Sequence, residues 1–397
     1  MPFKPAVADR LAPFGTTIFA EMTRLAMEHG AVNLAQGFPD FDGPELAKQA
    51  AIEAIRAGRN QYARMPGDPV LNAAIARKWR RDSGLEVNPD AHVTVTSGCT
   101  EAIPAAILGL VNPGERVVLF EPYYDSYRAC VSMAGAIPEF ITLRPSSSDE
   151  GPFTFDPDQL RAAMRGRPKA IILNTPHNPT GKVFSREELA LVASLCVEHD
   201  VIAITDEVYS ELVYNPALPH VSLATMPGMA DRTVTLNSLG KSFSLTGWKI
   251  GWAIASEPLT RAVRAAHQFL TFATCTPMQL GAARILTEGD AYVRELVASY
   301  TIKRDFLAAA LRDLGLKVHV PDGSYFIMAD HSSLGMGDDV EFCRRLTREV
   351  KVAAIPPSVF YDDPSNGRSL ARFAFCKQDR TLRQAVDRLQ ALRHRRA

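Results

Sequence analysis

Cysteine is scarce in this chain and never clustered. Six residues (Cys99, Cys130, Cys196, Cys275, Cys343 and Cys376) are scattered over 397 positions with no C-x-x-C pair. That spacing argues against a disulfide framework and against a zinc site, and no metal is expected. The thiols read as reduced groups of a cytoplasmic protein, serving as small buried apolar side chains. Charge imbalance is absent too: Lys plus Arg number 44 and Asp plus Glu number 44. Nothing in that balance favours nucleic acid or an anionic membrane. No apolar run approaches the roughly 18 residues of a membrane helix. The segment 1–14 carries three prolines and Asp9 but no apolar core, so it does not read as a signal peptide. No internal repeat is present.

What the chain does have is a long alternation of short apolar runs and helical patterns. Val93–Thr96, Val117–Phe120, Ala170–Leu173, Val201–Ile204 and Thr233–Leu236 read as buried strands. Thr100–Leu110 and Ser185–His199 read as helices between them. Ser185 with Glu188 three positions on predicts a capping box. Alternation of this kind predicts an α/β fold with a mostly parallel sheet covered on both faces. In such sheets ligands gather at the carboxyl ends of the strands. After about residue 285 the texture changes. A long helix is expected over Ala291–Leu314, then the run Gly323–Met328, a helix near Val340–Val350 and a strand over Ala371–Cys376. This predicts a second, smaller α+β domain. The Arg-rich helix from Thr381 onward is expected to present a solvated face, and Ser146–Gly151 reads as a polar loop.

The strand ends carry the polar residues. Thr96-Ser97-Gly98-Cys99-Thr100-Glu101 opens a helix, where free N–H groups favour a phosphate. Asn174-Thr175-Pro176-His177-Asn178-Pro179 makes a rigid turn after another strand. Thr205-Asp206-Glu207-Val208-Tyr209 places a carboxylate after a third. Taken singly, each matches an ordinary loop or a helix cap. The segment Asn237–Trp252 is more pointed: Lys241 and Lys249 stand eight residues apart among hydroxyl residues and glycines. An amine nucleophile beside a phosphate cup suits an aldehyde that carries a phosphate, which describes pyridoxal 5'-phosphate.

Asn-x-x-x-Asn-Pro, then Asp-x-x-Tyr, then Ser-x-x-Lys with a cation eight residues on occur in this order at successive strand ends. That order resembles the class I aminotransferases among the fold-type I pyridoxal-phosphate enzymes. The resemblance covers nearly the whole chain, from Asn33–Phe41 to Ala354–Tyr361. It is strongest to the kynurenine and glutamine aminotransferase group, and within it to the bacterial methionine aminotransferase branch, through Gly15–Phe19, Asp42–Pro44 and Leu270–Phe272. The family fold implies a large domain with a mostly parallel seven-stranded sheet between helices, plus a smaller α+β domain. Residues 1–45 would form an N-terminal arm and part of the small domain. Residues 46–285 would form the cofactor domain, and 286–397 the rest of the small domain.

The resemblance also implies roles. Lys241 matches the Schiff-base lysine and proton carrier. Asp206 matches the partner of the pyridine nitrogen. Tyr209 and Asn178 match the residues that hydrogen-bond the ring hydroxyl, and Asn178 also the substrate carboxylate. The phosphate cup would be the backbone of Cys99 and Thr100, the Ser238 hydroxyl and the Lys249 ammonium. Many relatives have arginine at this last position, and lysine gives a point charge instead of a fork. Tyr62 matches a tyrosine that reaches the phosphate from the other subunit, so a homodimer with shared sites is implied. Tyr124 matches the aromatic that stacks on the ring. Arg372 matches the grip on the substrate α-carboxylate, where a bidentate fork fits. Gly37 matches a glycine that closes over the substrate. Phe19, Phe38 and Phe272 would line the side-chain pocket.

The activity implied is transfer of an amino group from a neutral or aromatic L-amino acid (methionine, glutamine, phenylalanine or kynurenine type) to a 2-oxo acid, in two half-reactions. Two rivals share the scaffold. β-Elimination from cysteine S-conjugates proceeds through the same Cα carbanion. A cofactor-binding regulator would need an N-terminal DNA-binding module, for which the pattern, starting near residue 15, leaves no room.

Overall fold

The computed structural model describes residues 7–146 and 151–394. The start of the proline-bearing segment, the centre of the 146–151 loop and residues 395–397 lie outside the described residues. All five strands expected before residue 285 are present, each within a residue or two of its predicted limits: β1 (Val93–Ser97), β2 (Arg116–Glu121), β4 (Ala170–Asn174), β5 (Ile202–Asp206) and β6 (Thr233–Ser238). Two more complete a seven-stranded sheet, β3 (Ile137–Thr142) and β7 (Ile250–Ile254), in the order β1-β7-β6-β5-β4-β2-β3. β7 pairs antiparallel with both neighbours, and the remaining pairs are parallel. β3 stands at the edge, where Pro138 costs no ladder bond.

Because β7 alone runs backwards, β1, β2, β4, β5 and β6 all end on one side. Their carboxyl ends deliver Gly98, Tyr124, Asn178, Asp206 and Lys241 to that side. Helix α1 (Cys99–Leu110) follows β1, and α2 (Arg186–His199) follows β4. The capping box is formed: the Ser185 hydroxyl accepts from the Glu188 N–H, and the Glu188 carboxylate accepts from the Ser185 N–H. Helices α3 (Glu257–Leu270) and α4 (Thr276–Glu288) follow β7, and the long α5 (Asp290–Asp313) leads out of this layer.

The C-terminal part carries a three-stranded antiparallel sheet, β10-β9-β8, from β8 (Lys317–His319), β9 (Phe326–Asp330) and β10 (Leu370–Ala374). The N-terminal run joins it: Val32–Asn33 pairs in parallel with Val352–Ala353, and the Ala374 N–H donates to the Leu34 carbonyl. This pairing brings Gln36–Phe38 back over the strand ends of the large sheet. The helix near 340–350 starts at Asp339 and turns into a wider π-type coil over Leu346–Val350. The last helix, Asp379–His394, exposes Arg380 and Arg383 as expected but buries Leu382, Ala385 and Leu389 in the core. Five cysteines are buried. Cys275 is exposed, contrary to the expectation for the thiols, because it caps α4 in a surface turn. No helix among the described residues is long and apolar enough to cross a membrane.

Candidate active site

A cavity of about 280 Å³ opens at the carboxyl ends of the strands. One wall is the turn between β1 and α1. Gly98 caps α1, which begins at Cys99, so the first N–H groups of a twelve-residue helix face the cavity. Lys249 reaches the same turn, and its Nζ donates to the Thr100 Oγ at 2.9 Å. Ser238, buried at the end of β6, completes the wall. The turn can approach β7 this closely only because residue 251 is glycine. A Cβ there would lie 2.6 Å from the Gly98 carbonyl carbon and 2.8 Å from the Cys99 nitrogen. Amides at a helix start, a hydroxyl and an ammonium make a cradle for a dianionic phosphate.

Asp206 sits at the floor, 4% exposed. Its Oδ2 accepts from the Tyr127 hydroxyl at 2.7 Å, and its Oδ1 accepts from the Val208 N–H at 3.2 Å. Burial pushes the carboxyl above the usual carboxylate range, while the Tyr127 hydroxyl, the Val208 N–H and the Lys241 charge pull it back. Among the described residues no cation contacts this carboxylate, and a protonated pyridine nitrogen would supply one. Lys241 Nζ lies 5.8 Å from the Tyr209 ring centroid and 5.9 Å from that of Tyr325. Burial lowers the ammonium's pKa, against the pull of Cys376 and Asp206. A lysine so placed loses its proton more readily and becomes a nucleophile. Tyr209 is buried edge-on to Tyr325 at 5.1 Å. Tyr124 lines the cavity edge-on to Tyr127 at 5.6 Å.

The opposite wall comes from the small sheet. Arg372 is 2% exposed, and no carboxylate among the described residues forms an ion pair with it. Its Nη1 donates to the Asn178 Oδ1 at 3.1 Å and its Nη2 to the Ala35 carbonyl at 3.0 Å, while Nε has no partner among the described residues. Instead of an anion, aromatic rings surround it: Phe326 at 4.2 Å, Phe19 at 5.1 Å and Phe360 at 5.5 Å from the guanidinium carbon to the centroid. Burial drags its pKa down to about 10. A buried guanidinium with a spare donor awaits an anion. Gly37 comes so close that a Cβ would lie 2.5 Å from the Phe326 ring, and its carbonyl accepts from the Tyr325 hydroxyl at 2.6 Å. Phe38 stands at the mouth, 47% exposed, with the Lys377 ammonium 5.0 Å from its ring.

Thirteen of the fifteen predicted residues line this one cavity. Tyr62 and Phe272 do not. They lie on the surface of their own chain, 85% and 45% exposed, with rings 5.6 Å apart and edge-on. Phe272 is therefore not part of the side-chain pocket of its own chain; its backbone takes a left-handed turn at φ 67° that carries it outward. Tyr127, Asn174, Asp125 and Phe326 line the cavity without having been foreseen. The Asn174 Oδ1 accepts from the Asn178 N–H at 2.7 Å, and its Nδ2 donates to the Asp206 carbonyl at 2.8 Å. It thus sets the two strand ends in register. The phosphate cradle, the cation-seeking carboxylate and the nucleophilic amine together fit pyridoxal phosphate.

Comparison with known proteins agrees. Residues 29–389 match the family model described as aminotransferase class I and II. A probable N-succinyldiaminopimelate aminotransferase of Mycobacterium tuberculosis is 48% identical over 98% of both chains. The solved structure of such an enzyme from that organism superposes with a TM-score of 0.94, covering 98% of this chain and all of the other. A methionine aminotransferase of Escherichia coli is 39% identical over 97% of this chain and 98% of its own, with a solved structure at TM-score 0.92. The rat kynurenine–oxoglutarate transaminase 3 is 40% identical over 96% of this chain and 89% of its own. The group expected from the sequence is represented, although the mycobacterial protein stands above its methionine branch in identity.

Proposed function

Since the chain belongs to the class I and II aminotransferases, which depend on pyridoxal phosphate, we propose that it transfers the amino group of a neutral or aromatic L-amino acid to a 2-oxo acid. Arg372 carries this reading. It is the one guanidinium among the described cavity residues, and in this proposal the α-carboxylate takes it up. No second guanidinium is left to hold a distal carboxylate, while Phe19, Phe38, Phe326 and Tyr124 offer apolar walls to a side chain.

In this proposal Arg372 and Asn178 hold the α-carboxylate and thereby aim the Cα–H bond at Lys241. Lys241 Nζ removes the Cα proton as a base whose pKa burial has already lowered. When bound, pyridoxal phosphate supplies the electron sink that makes this proton acidic. Asp206, itself fixed by Tyr127 and Val208, keeps a negative charge at the floor where the ring nitrogen would lie. Tyr209 and Asn178 present hydrogen-bonding groups toward the ring hydroxyl. Cys99, Thr100, Ser238 and Lys249 would hold the phosphate, and Gly37 with its neighbours would exclude water from the cavity. Residues 46–285 carry the cofactor groups, and residues 1–45 with 286–397 carry Gly37 and Arg372.

A second reading has its own support. The 48% identical relative is named for N-succinyldiaminopimelate, and an N-acylated diamino acid is the alternative donor. A donor panel with 2-oxoglutarate and pyruvate as acceptors decides. Methionine, glutamine, phenylalanine or kynurenine should exceed N-succinyldiaminopimelate in kcat/KM; the reverse order overturns the assignment. A cysteine S-conjugate incubated without any oxo acid tests β-elimination, which would release pyruvate and ammonia. Lys241→Ala should lose the visible absorbance of the bound cofactor and at least about 10³-fold in kcat.

A further inference from the structure

His267 lies on α3 with no exposed surface, packed against α1. Its Nδ1 stands 2.6 Å from Glu101 Oε1, and its Nε2 stands 2.9 Å from the Met65 carbonyl oxygen. The other Glu101 oxygen accepts from the Ser97 N–H at 2.6 Å. Both ring nitrogens therefore face acceptors. A neutral imidazole has a single N–H and would leave two lone pairs opposed at one of these contacts. The geometry calls for the imidazolium, paired with the Glu101 carboxylate. Burial works against that charge, but the Glu101 hydrogen bond and charge outweigh it and hold the pKa above the ordinary histidine value. The other charges on the packed elements are engaged elsewhere. Arg264 donates to the Asp90 and Val93 carbonyls, Arg64 pairs with Asp90, and Asp68 pairs with Arg59.

The two partners of the ring lie apart, one beside the cavity wall and the other near Tyr62 on the surface of the chain. Glu101 lies in the first turn of α1, and its bond to Ser97 closes the β1–α1 turn that forms the phosphate cradle. Met65 lies three residues after Tyr62. The stretch 61–68 is tied to the segment after α3 by Thr276, whose hydroxyl donates to the Gln61 carbonyl, and by Gln279, which accepts from the Asp68 N–H. Thr271 and Phe272 donate back to the His267 carbonyl, at 3.0 Å each.

We propose that His267 is a positioning residue, an imidazolium that locks the phosphate turn through Glu101 and the Tyr62 segment through the Met65 carbonyl, so that one proton links cofactor retention to the placement of Tyr62. This rests on the cofactor site described above. Because the clamp needs the protonated ring, it is intact at pH below the folded-state pKa and is lost as pH rises through it. Cofactor should leave faster from the deprotonated form.

The test is the rate of cofactor release from the holoenzyme, read by absorbance between about pH 6 and 9. Wild type should release cofactor faster as pH rises. His267→Gln should release it about tenfold faster or more at the low end and lose the pH slope. Glu101→Gln should do the same, and it serves if His267→Gln does not fold. The double variant should be little worse than either single one. Variants that only lower Tm, with release and its pH profile unchanged, overturn the inference. A wild type that never takes up cofactor sinks the site reading and this inference together. A wild type that holds it and matches His267→Gln at every pH sinks the inference alone.

Discussion

Arg372 shows how much a single residue here depends on its surroundings. Its guanidinium is buried among Phe19, Phe326 and Phe360 with one N–H unpaired among the described residues, which is the basis of the proposed carboxylate grip. Arg372→Lys keeps the charge but loses the fork. The expected result is a rise of about 10- to 100-fold in KM for amino acids, with cofactor absorbance unchanged, by steady-state kinetics. The residues legible in the sequence were those in short linear motifs at strand ends: Asn178, Asp206, Tyr209, Lys241 and Lys249. Arg372 was legible because a charge within an apolar strand needs an explanation. Tyr127 was not, since its bond to Asp206 exists only once the helix Asp125–Met133 packs against α1. Phe326 was hidden for a similar reason, looking like one more core aromatic until Gly37 and Arg372 are seen against it.

At the scale of elements, the β1–α1 turn and β7 depend on each other. Gly251→Ala would drive a methyl group into the Gly98–Cys99 peptide, so the turn must shift. The variant should bind pyridoxal phosphate at least about tenfold more weakly in equilibrium dialysis, because helix-start amides must converge on the phosphate. β7 escaped sequence reading because Ile250-Gly251-Trp252-Ala253-Ile254 is short, contains a glycine and directly follows a polar loop. β3 escaped because Pro138 and Glu139 break the apolar run in a strand whose first four residues are exposed or half-buried. The turn after β4 carries a pH dependence. His177 is 1% exposed, and burial with the nearby Lys182 lowers its pKa to about 3. The folded state holds it neutral while the unfolded chain takes up a proton near pH 6.5. Its contribution is therefore complete above that pH and is lost as pH falls toward about 3, by up to ~1.4 kcal/mol per unit. Urea unfolding at a series of pH values should show a shallower acid loss in His177→Gln than in wild type.

For the whole molecule, Tyr62, Phe269, Leu270 and Phe272 leave apolar surface in one neighbourhood, with Phe269 86% exposed. Exposed aromatics gathered this way favour an interface. The chain should sediment as a homodimer, and Phe269→Asp should shift it toward monomer and loosen its cofactor. A wild type that sediments as a monomer while fully active would remove Tyr62 from the site. The two sheets make up the rest of the molecular picture. Lys241 and Asp206 hang from the large sheet, Arg372 from the small one, and the described bond between Arg372 and Asn178 crosses between them. On the proposed role of Arg372, a reactant that fills its fork would become a strut between the two layers, and its carboxylate would carry the force that seats its Cα–H bond. An amine of the same shape without that carboxylate has no strut to offer. Such a decarboxylated analogue should turn over slowly even at saturation, a deficit in kcat that added concentration does not repair.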